Sequence, residues 1–524
     1  MVIEKIKLKN FKKFQGEHNI EFNNDINVLI GDNEAGKSSI LMALDIVLSG
    51  SQAKVDTFGL ENLFNVDEIN NFLNGNKEYK YLPELYIEIY LKNADNYDLN
   101  GEVYSEGCNC PRDGLRFECK PDDDYSLEIN NILNNDNSIF PFEYYKCNFK
   151  TFGKVPYNGY RKYLNHIFID NSAINNEYAI KEYTISLYKS YTDDITRNKH
   201  KIEYRQLKNN FNNNTLGIFN EKINDIKFGL SNNKKMDLEN SIAIYENDVN
   251  LLNKGAGRQC IIKTEHALKK QIDNIDIILI EEPENHLSYI NMKKLLNDIK
   301  ETTKKQIFVT THSSMICSRL NLNNIICLNN STNIMNFNDV SEDTANYFMK
   351  SPSNNILQFI LAPKVILVEG AAEYVLLEKF FEMITGDNAE NKEVSIIAIN
   401  GLSFLRYLEI ADKLNMKVAV ITDNDKNYQK NIIEKYTEYK NKENIKIFSD
   451  MNTENWTFEV CLYKNNSKYL KDKNITQSED IQKFMLNNKS ESAYRILKKL
   501  DEENEKNEFN IPDYIERAIK WIKN

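Results

Sequence analysis

The run Gly31-Asp32-Asn33-Glu34-Ala35-Gly36-Lys37-Ser38-Ser39 has the residue types and spacing to hold a nucleoside triphosphate. Gly31, four intervening residues, Gly36, Lys37 and Ser38 form the P-loop pattern. In that pattern backbone N–H groups cradle phosphates, the lysine neutralises β and γ charge, and the hydroxyl reaches Mg²⁺. Asn33 and Ser39 lie in the same run and count with Gly31, Gly36, Lys37 and Ser38 among the nucleotide-contacting residues. Far downstream, Glu281 and Glu282 close the apolar run Ile275–Ile280. An acid at a strand end can hold Mg²⁺ through water, and a second carboxylate can polarise the attacking water. Glu281, standing where many P-loop enzymes use Asp, takes the first role and Glu282 the second. His312 ends the next apolar run, Ile307–Thr311, where it can meet a γ-phosphate. ATP is the expected cofactor.

A second constellation lies towards the C-terminus. Glu369 and Glu373 follow the apolar run Lys364–Val368, and Asp423 and Asp425 follow Lys417–Ile421. Carboxylates converging at strand ends repel one another unless cations lie between them, which makes these four candidate ligands for Mg²⁺ or Mn²⁺.

The elements that must position these residues can be read from periodicity. Ile6 and Leu8 alternate with Lys5, Lys7 and Lys9, and Ile20 and Phe22 with Asn19 and Glu21, giving two half-buried strands before the buried run Ile26–Ile30. A helix over Ser39 to Leu48 follows the loop. In the C-terminal part, apolar strands at Lys364–Val368, Ser395–Ile399 (ending at Asn400-Gly401) and Lys417–Ile421 alternate with helical spacing, as at Val375, Leu376, Leu377 and Phe380. That alternation predicts a small parallel α/β domain after Pro352 and Pro363, with ligands at the carboxyl ends of its strands. Between the two ATPase motifs, residues 172–245 are polar and carry helical spacing at Ile180, Tyr183, Ile185 and Leu187, which reads as a helical insertion.

A length of 524 residues exceeds what one core organises, so two or three domains are expected. Charged residues at 27% and hydrophobic residues at 41% fit a soluble globular protein, and no apolar run reaches a membrane span. The N-terminus has no signal-peptide pattern, so a cytoplasmic location is expected, with the eight cysteines as reduced thiols. The spacing of Cys108, Cys110, Cys119 and Cys147 differs from paired zinc motifs and reads as free thiols in a hairpin. A net charge of −11 argues against a general nucleic-acid coat but leaves local basic grooves, with candidates at Arg161–Lys162, Arg197–Lys201 and Lys426–Lys442.

Taken in order, the strand IEKIKLKNFKKF, the P-loop, the Glu281-Glu282 pair and His312 resemble the ABC-type ATPase heads of the SMC and OLD (overcoming lysogenisation defect) families. In that light Gly255, Gly257 and Gln259 resemble a divergent signature motif, which in such ATPases acts on nucleotide bound to another subunit and so implies a dimer. Residues 172–245 resemble the dimerisation element that OLD proteins insert. The segments VILVEGAAE, AING and ITDND are similar to a Toprim domain and, joined to the upstream ATPase, point to the OLD family. Only through this resemblance is Glu459, in Trp456-Thr457-Phe458-Glu459, a second-metal ligand, and Lys489 the lysine that offsets charge on the scissile phosphate, with Ser490 where Gly is common. The implied architecture is α/β: an ABC/SMC-like P-loop ATPase head (1–171 and 246–350) with a helical insertion (172–245), then a Toprim domain (351–524). The implied activity is an ATP-regulated endonuclease that cuts DNA with two metals bound by Glu369, Glu373, Asp423, Asp425 and Glu459. Anti-phage defence and a helicase-like partner, as in Gabija, come with the resemblance. An RNA (tRNA) nuclease and a DNA-clamping ATPase with a non-catalytic Toprim domain are the alternatives.

Overall fold

The computed structural model describes residues 1–101, 111–134, 139–159, 162–171, 177–223, 226–231, 237–268, 275–302, 305–329, 333–337, 340–350, 355–399, 403–502 and 509–523, with the side chains of 177–179, 329 and 333 also excepted. Cys108, Cys110, Arg161, Pro352, Asn400 and Gly401 lie outside the described residues. The chain divides into two compact units, Met1–Ile316 with Asn324–Ile334, and Cys317–Asn323 with Met335–Asn524.

In the first unit the expected strands form. Val2–Phe11 pairs antiparallel with Phe14–Glu21 and Leu85–Lys92, and the sheet continues through Arg112–Pro121 to Tyr145–Thr151. Ile6, Leu8 and Ile20 are fully buried. Lys7 departs from the alternation, because it is buried with its Nζ 3.6 Å from Glu17. A second sheet is parallel in the order Ile325–Asn329, Ile26–Gly31, Gln306–Thr310, Ile277–Glu281, His166–Asp170. Val28, Leu29 and Ile30 are wholly enclosed, each worth roughly 1.5–3 kcal/mol of burial. A strand covered on both faces reads as a continuous apolar run, which is why this one was legible. Helix Lys37–Ser49 packs against strands of both sheets and is buried almost all round. It starts at Lys37 rather than Ser39 and stops at Gly50, whose φ of 57° suits glycine.

Cys119 and Cys147 correct the expectation of reduced thiols throughout. They face each other across the pairing of Arg112–Pro121 with Tyr145–Thr151 and form a disulfide with a Cα–Cα distance of 4.4 Å. Cys260, Cys317, Cys327 and Cys461 are free and buried. Within 172–245, helix Glu177–Tyr191 buries Ile180, Tyr183 and Leu187, whereas helix Asp194–Asn210 buries no side chain.

The second unit holds a four-stranded parallel sheet in the order Val394–Ala398, Lys364–Val368, Lys417–Ile421, Ile445–Phe448. Helix Ala371–Thr385 leaves the second of these in space and leads to the first, after which the chain crosses to the third. The connections therefore diverge between Lys364–Val368 and Lys417–Ile421, the place where open α/β sheets leave a crevice at the strands' carboxyl ends. Helix Asp513–Lys523 packs on this sheet, burying Tyr514, Ile515, Ala518, Ile519 and Ile522. No helix among the described residues is long and apolar enough to cross a membrane.

Candidate functional site

Strand Ile26–Gly31 delivers the P-loop to the start of helix Lys37–Ser49. Two glycines fit it into place. A Cβ at Gly31 would lie 2.5 Å from the Leu328 carbonyl oxygen, and one at Gly36, whose φ is 104°, would lie 2.9 Å from the Phe14 ring. The buried Lys37 ammonium donates to the carbonyls of Gly31 and Asp32 at 2.8 Å each. Burial pulls its pKa down against the opposing pull of Glu282, Asp32 and Glu284. Ser38 and Asn33 are exposed at the loop, and Ser39 is buried.

Glu281 is the last residue of its strand, level with Asp170 on the neighbouring strand. Burial, with Asp170 and Glu282 adding to it, raises the Glu281 carboxyl to about 7 although Ser38 donates to it. Glu282 has a positive φ of 44°, and its Oε2 accepts from Asn285 at 2.7 Å. His312 Nε2 lies 3.9 Å from Glu282 Oε1. Lys37, Ser38, Glu281, Glu282 and His312 thus stand at the carboxyl ends of three adjacent parallel strands. Gly255 and Gly257 open helix Ala256–Leu268; a Cβ at Gly257 would lie 2.4 Å from the His286 carbonyl oxygen, while Gly255 has open space. Gln259 is buried and donates to the Lys254 carbonyl at 2.8 Å.

The sequence reading missed a buried network under this loop. Asp45, on the P-loop helix, lies 2.5 Å from Lys54 Nζ and 2.8 Å from His166 Nε2. The lone acid in the apolar run Ile40–Leu48 was the available signal.

In the second unit Glu369, Glu373 and Asp423 each offer a carboxylate oxygen within 4.8 Å of the others. Glu369 follows directly on the strand Lys364–Val368, and its Oε1 accepts from Thr422 Oγ1 at 2.6 Å and from the Asp423 N–H at 3.3 Å. Glu373 lies in the first turn of helix Ala371–Thr385, where burial, then Glu459 and Glu369, raise its carboxyl to about 7. Asp423 is raised well above the ordinary carboxylate range by burial, then by Glu369, Glu373 and Glu459. Glu459 is 1% exposed, and no backbone N–H or hydroxyl donates to either of its oxygens. Lys489 Nζ lies 3.1 Å from Glu459 Oε2 in ion-pair contact. Burial opposes the Lys489 charge, but Glu459, Asp423 and Glu373 outweigh it and raise its pKa.

Asp425 stands apart. It is exposed, with a φ of 47° and its N–H donating to the Trp456 carbonyl at 3.1 Å, and it is outside the three-acid group. Of the basic candidates, Arg197 pairs with Asp194, Lys201 with Glu239 at 2.7 Å, and Lys442 with Asp412 at 2.6 Å, while Lys426 lies over the Trp456 ring.

The donor set fits divalent metal. Glu369, Glu373 and Asp423 converge in a partly buried crevice beside Glu459, whose Oε1 has no hydrogen-bond donor and whose Oε2 faces the Lys489 ammonium, a costly gathering of carboxylates that a hard cation relieves.

Comparison with known proteins gives a matching pair of domains. Residues 1–254 match the AAA ATPase domain family, and residues 360–425 match the Toprim domain of overcoming lysogenization defect protein-like proteins. The chain is 30% identical over 97 residues to the structural maintenance of chromosomes protein 3 homolog of Plasmodium falciparum. It is 35% identical over 95 residues to the chromosome partition protein Smc of Halothermothrix orenii. Each match covers 18% of this chain and only 7% of the relative. Among solved structures, an Smc head bound to the C-terminal winged-helix domain of ScpA aligns over 65% of this chain and 100% of its own, at 17% identity and a TM-score of 0.36. The recombination mediator RecF with ATP aligns over 64% of this chain and 99% of its own, at 14% identity and a TM-score of 0.35.

Proposed function

We propose, from the premise that this chain joins an N-terminal AAA ATPase domain to a C-terminal OLD-like Toprim domain as an OLD-family fusion does, that it is an ATP-regulated endonuclease cutting DNA phosphodiesters. The observation that carries the reading is the convergence of Glu369, Glu373 and Asp423 beside the sealed Glu459 and its partner Lys489.

Glu369, Glu373, Asp423 and Glu459 would hold Mg²⁺ or Mn²⁺ as a pair of ions, and Asp425 joins only if its turn swings inward. Bound there, the metal supplies an activated water and charge stabilisation at the leaving oxygen. Thr422 fixes the Glu369 carboxylate through its hydroxyl. Lys489, ion-paired on the rim, supplies positive charge where a pentavalent phosphate gains negative charge. In the ATPase domain Lys37 and Ser38 would bind the β and γ phosphates with Mg²⁺, Glu281 would orient that ion, Glu282 would act on the attacking water, and His312 would meet the γ-phosphate. Gly255, Gly257 and Gln259 would serve the nucleotide of a second subunit. The domain plan we infer is ATPase at 1–171 and 246–350, helical insertion at 172–245 and Toprim at 351–524. The exposed Ile195, Leu207, Ile218 and Phe219 favour the insertion as the dimerisation element. A role in anti-phage defence beside a helicase-like partner in the cytoplasm follows from the family likeness.

The test is supercoiled plasmid incubated with the protein and Mg²⁺ or Mn²⁺, with and without ATP, beside Asp423→Ala and Lys37→Ala. Nicking lost in Asp423→Ala supports the nuclease, and the Lys37→Ala lane gives the sign of ATP control. Cutting of end-labelled RNA but not DNA would move the substrate to RNA, and no metal-dependent cutting of either would overturn the reading.

A further inference from the structure

Asn424 sits between Asp423 and Asp425 with its side chain 1% exposed. Its amide nitrogen donates to three backbone carbonyls of one segment, Asp450 at 2.9 Å, Asn452 at 3.0 Å and Asn455 at 3.2 Å. Its Oδ1 accepts from the Lys426 N–H at 2.9 Å, so every polar atom of the side chain is engaged. The segment it grips is also closed on itself: Asp450 accepts from the Asn452 N–H and from the Asn455 side chain, each at 2.8 Å. One residue further, the Trp456 carbonyl accepts from the Asp425 N–H. Thr457 then caps helix Phe458–Asp472, its Oγ1 accepting from the Val460 N–H at 3.4 Å, and Glu459 lies in the first turn of that helix.

A continuous run of hydrogen bonds therefore links the neighbour of Asp423 to the start of the helix that carries Glu459. Segment 450–457 is neither helix nor strand, so its carbonyls have no ladder to satisfy them, and the Asn424 amide does so. Asparagine is the side chain this geometry needs. Aspartate would set acceptors against three carbonyls, and alanine would take the amide donor from all of them, leaving Asn452 with the Asn455 N–H and Asn455 with the weak Cys461 thiol, and would leave the Lys426 N–H without its acceptor. Neither aspartate flanking it can do this work.

We propose that Asn424 is a positioning residue that clamps segment 450–457 and thereby holds Glu459 in the metal crevice, so that occupancy of the Glu459-dependent metal position depends on Asn424. The proposal rests on the reading of these acids as a metal site. It gives the middle residue of the Asp423-Asn424-Asp425 turn a part in assembling the site to which Asp423 belongs.

The test is Mn²⁺ binding by calorimetry on the full chain, comparing wild type, Asn424→Ala, Asn424→Asp, Glu459→Gln and the Asn424→Ala/Glu459→Gln double variant, with hydrogen exchange of wild type measured with and without Mn²⁺. We expect Asn424→Ala and Glu459→Gln each to weaken the same Mn²⁺ equivalent by roughly 10–100-fold, the double variant to be no worse than either, and Asn424→Asp to be at least as impaired. Should Asn424→Ala not fold, Asn424→Ser, which keeps one donor, takes its place, and the exchange experiment needs no variant. The wild-type 450–457 amides should gain protection when Mn²⁺ binds. Wild-type Mn²⁺ affinity in the Asn424 variants, additive losses in the double variant, or no Mn²⁺-dependent protection of 450–457 would each overturn the proposal. Wild type that binds no Mn²⁺ at all would instead remove the metal-site reading beneath it.

Discussion

Titrating the metal-stripped protein with Mn²⁺ across neutral pH probes the acid cluster through one carboxyl in particular. Burial and its acidic neighbours place Glu373 at about 7 against an ordinary value of 4.5, so much of it carries a proton in the range where carboxylates are usually ionised. A hard cation coordinates the ionised oxygen, and binding must therefore expel that proton. From the value of about 7, about one molecule in ten has Glu373 ionised at pH 6 and about nine in ten at pH 8, a tenfold gain in apparent affinity or about 1.4 kcal/mol. Asp423, raised in the same direction, adds a second proton and steepens the rise. Calorimetry at several pH values should show this slope, flattening above pH 7 for the Glu373 share. Glu373→Gln should lower the affinity and remove about one proton from the slope. The same shift has a stability consequence with a definite sign. A carboxyl whose folded pKa is raised contributes stability that is full below the unfolded pKa of about 4.5 and is lost as pH rises through about 7, roughly 3 kcal/mol in all. Metal-free protein should thus lose thermal stability between about pH 5 and 8 relative to Glu373→Gln, and Mn²⁺ should restore it at pH 8. Glu281 titrates over the same window in the other unit, which is why the comparison with Glu373→Gln is needed. A Mn²⁺ affinity independent of pH between 6 and 8, or an unchanged slope in Glu373→Gln, would refute the reasoning.

Two further outcomes follow from single contacts. Thr422→Val keeps the side-chain shape but removes the 2.6 Å hydrogen bond to Glu369, and should weaken Mn²⁺ binding by roughly 10–100-fold with little change in fold, as read by calorimetry and circular dichroism. Gly257→Ala would put a Cβ 2.4 Å from the His286 carbonyl oxygen, and a scanning calorimetric measurement should show a loss of roughly 1–3 kcal/mol, whereas Gly255→Ala, with open space around it, should change stability far less.

What could be read from the sequence divides along a physical line. The P-loop strand, the Lys37 helix and three of the four C-terminal strands are local: their signals are apolar runs and glycines inside one short window, whereas the short strand Ile445–Phe448, with Lys446 inside it, was not read. Runs near the correct strands were found, with ends moved by a residue or two, as at Ile277–Glu281 and Val394–Ala398. Glu369 and Asp423 were legible because acids just past the ends of buried strands lie beside the crevice their sheet leaves open, and Glu373 because it opens the helix that follows the first of them. The Cys119–Cys147 bond was not, since it depends on which strand lies beside Arg112–Pro121 and in what register, and neither is written near either cysteine.

The turn after Lys417–Ile421 shows why residue type alone is insufficient even at a recognised motif. Asp423 and Asp425 have the same side chain and stand two positions apart, and a strand continuing straight would have sent both to one face. Instead the chain turns at Asp425 with a positive φ, leaving that side chain exposed while Asp423 stays in the crevice. What stabilises the turn is Asn424, whose acceptors lie at 450, 452 and 455, far along the chain. A residue that looked like a spacer between two acids is therefore bonded to the segment that delivers the next one, Glu459. Composition around Asn424 cannot reveal this, because asparagine in a turn is ordinarily explained by the turn itself. The cost of taking the amide donor from three carbonyls at once, that of Asp450 above all, makes its identity matter, and that cost arises only once the fold has brought segment 450–457 across the end of the sheet.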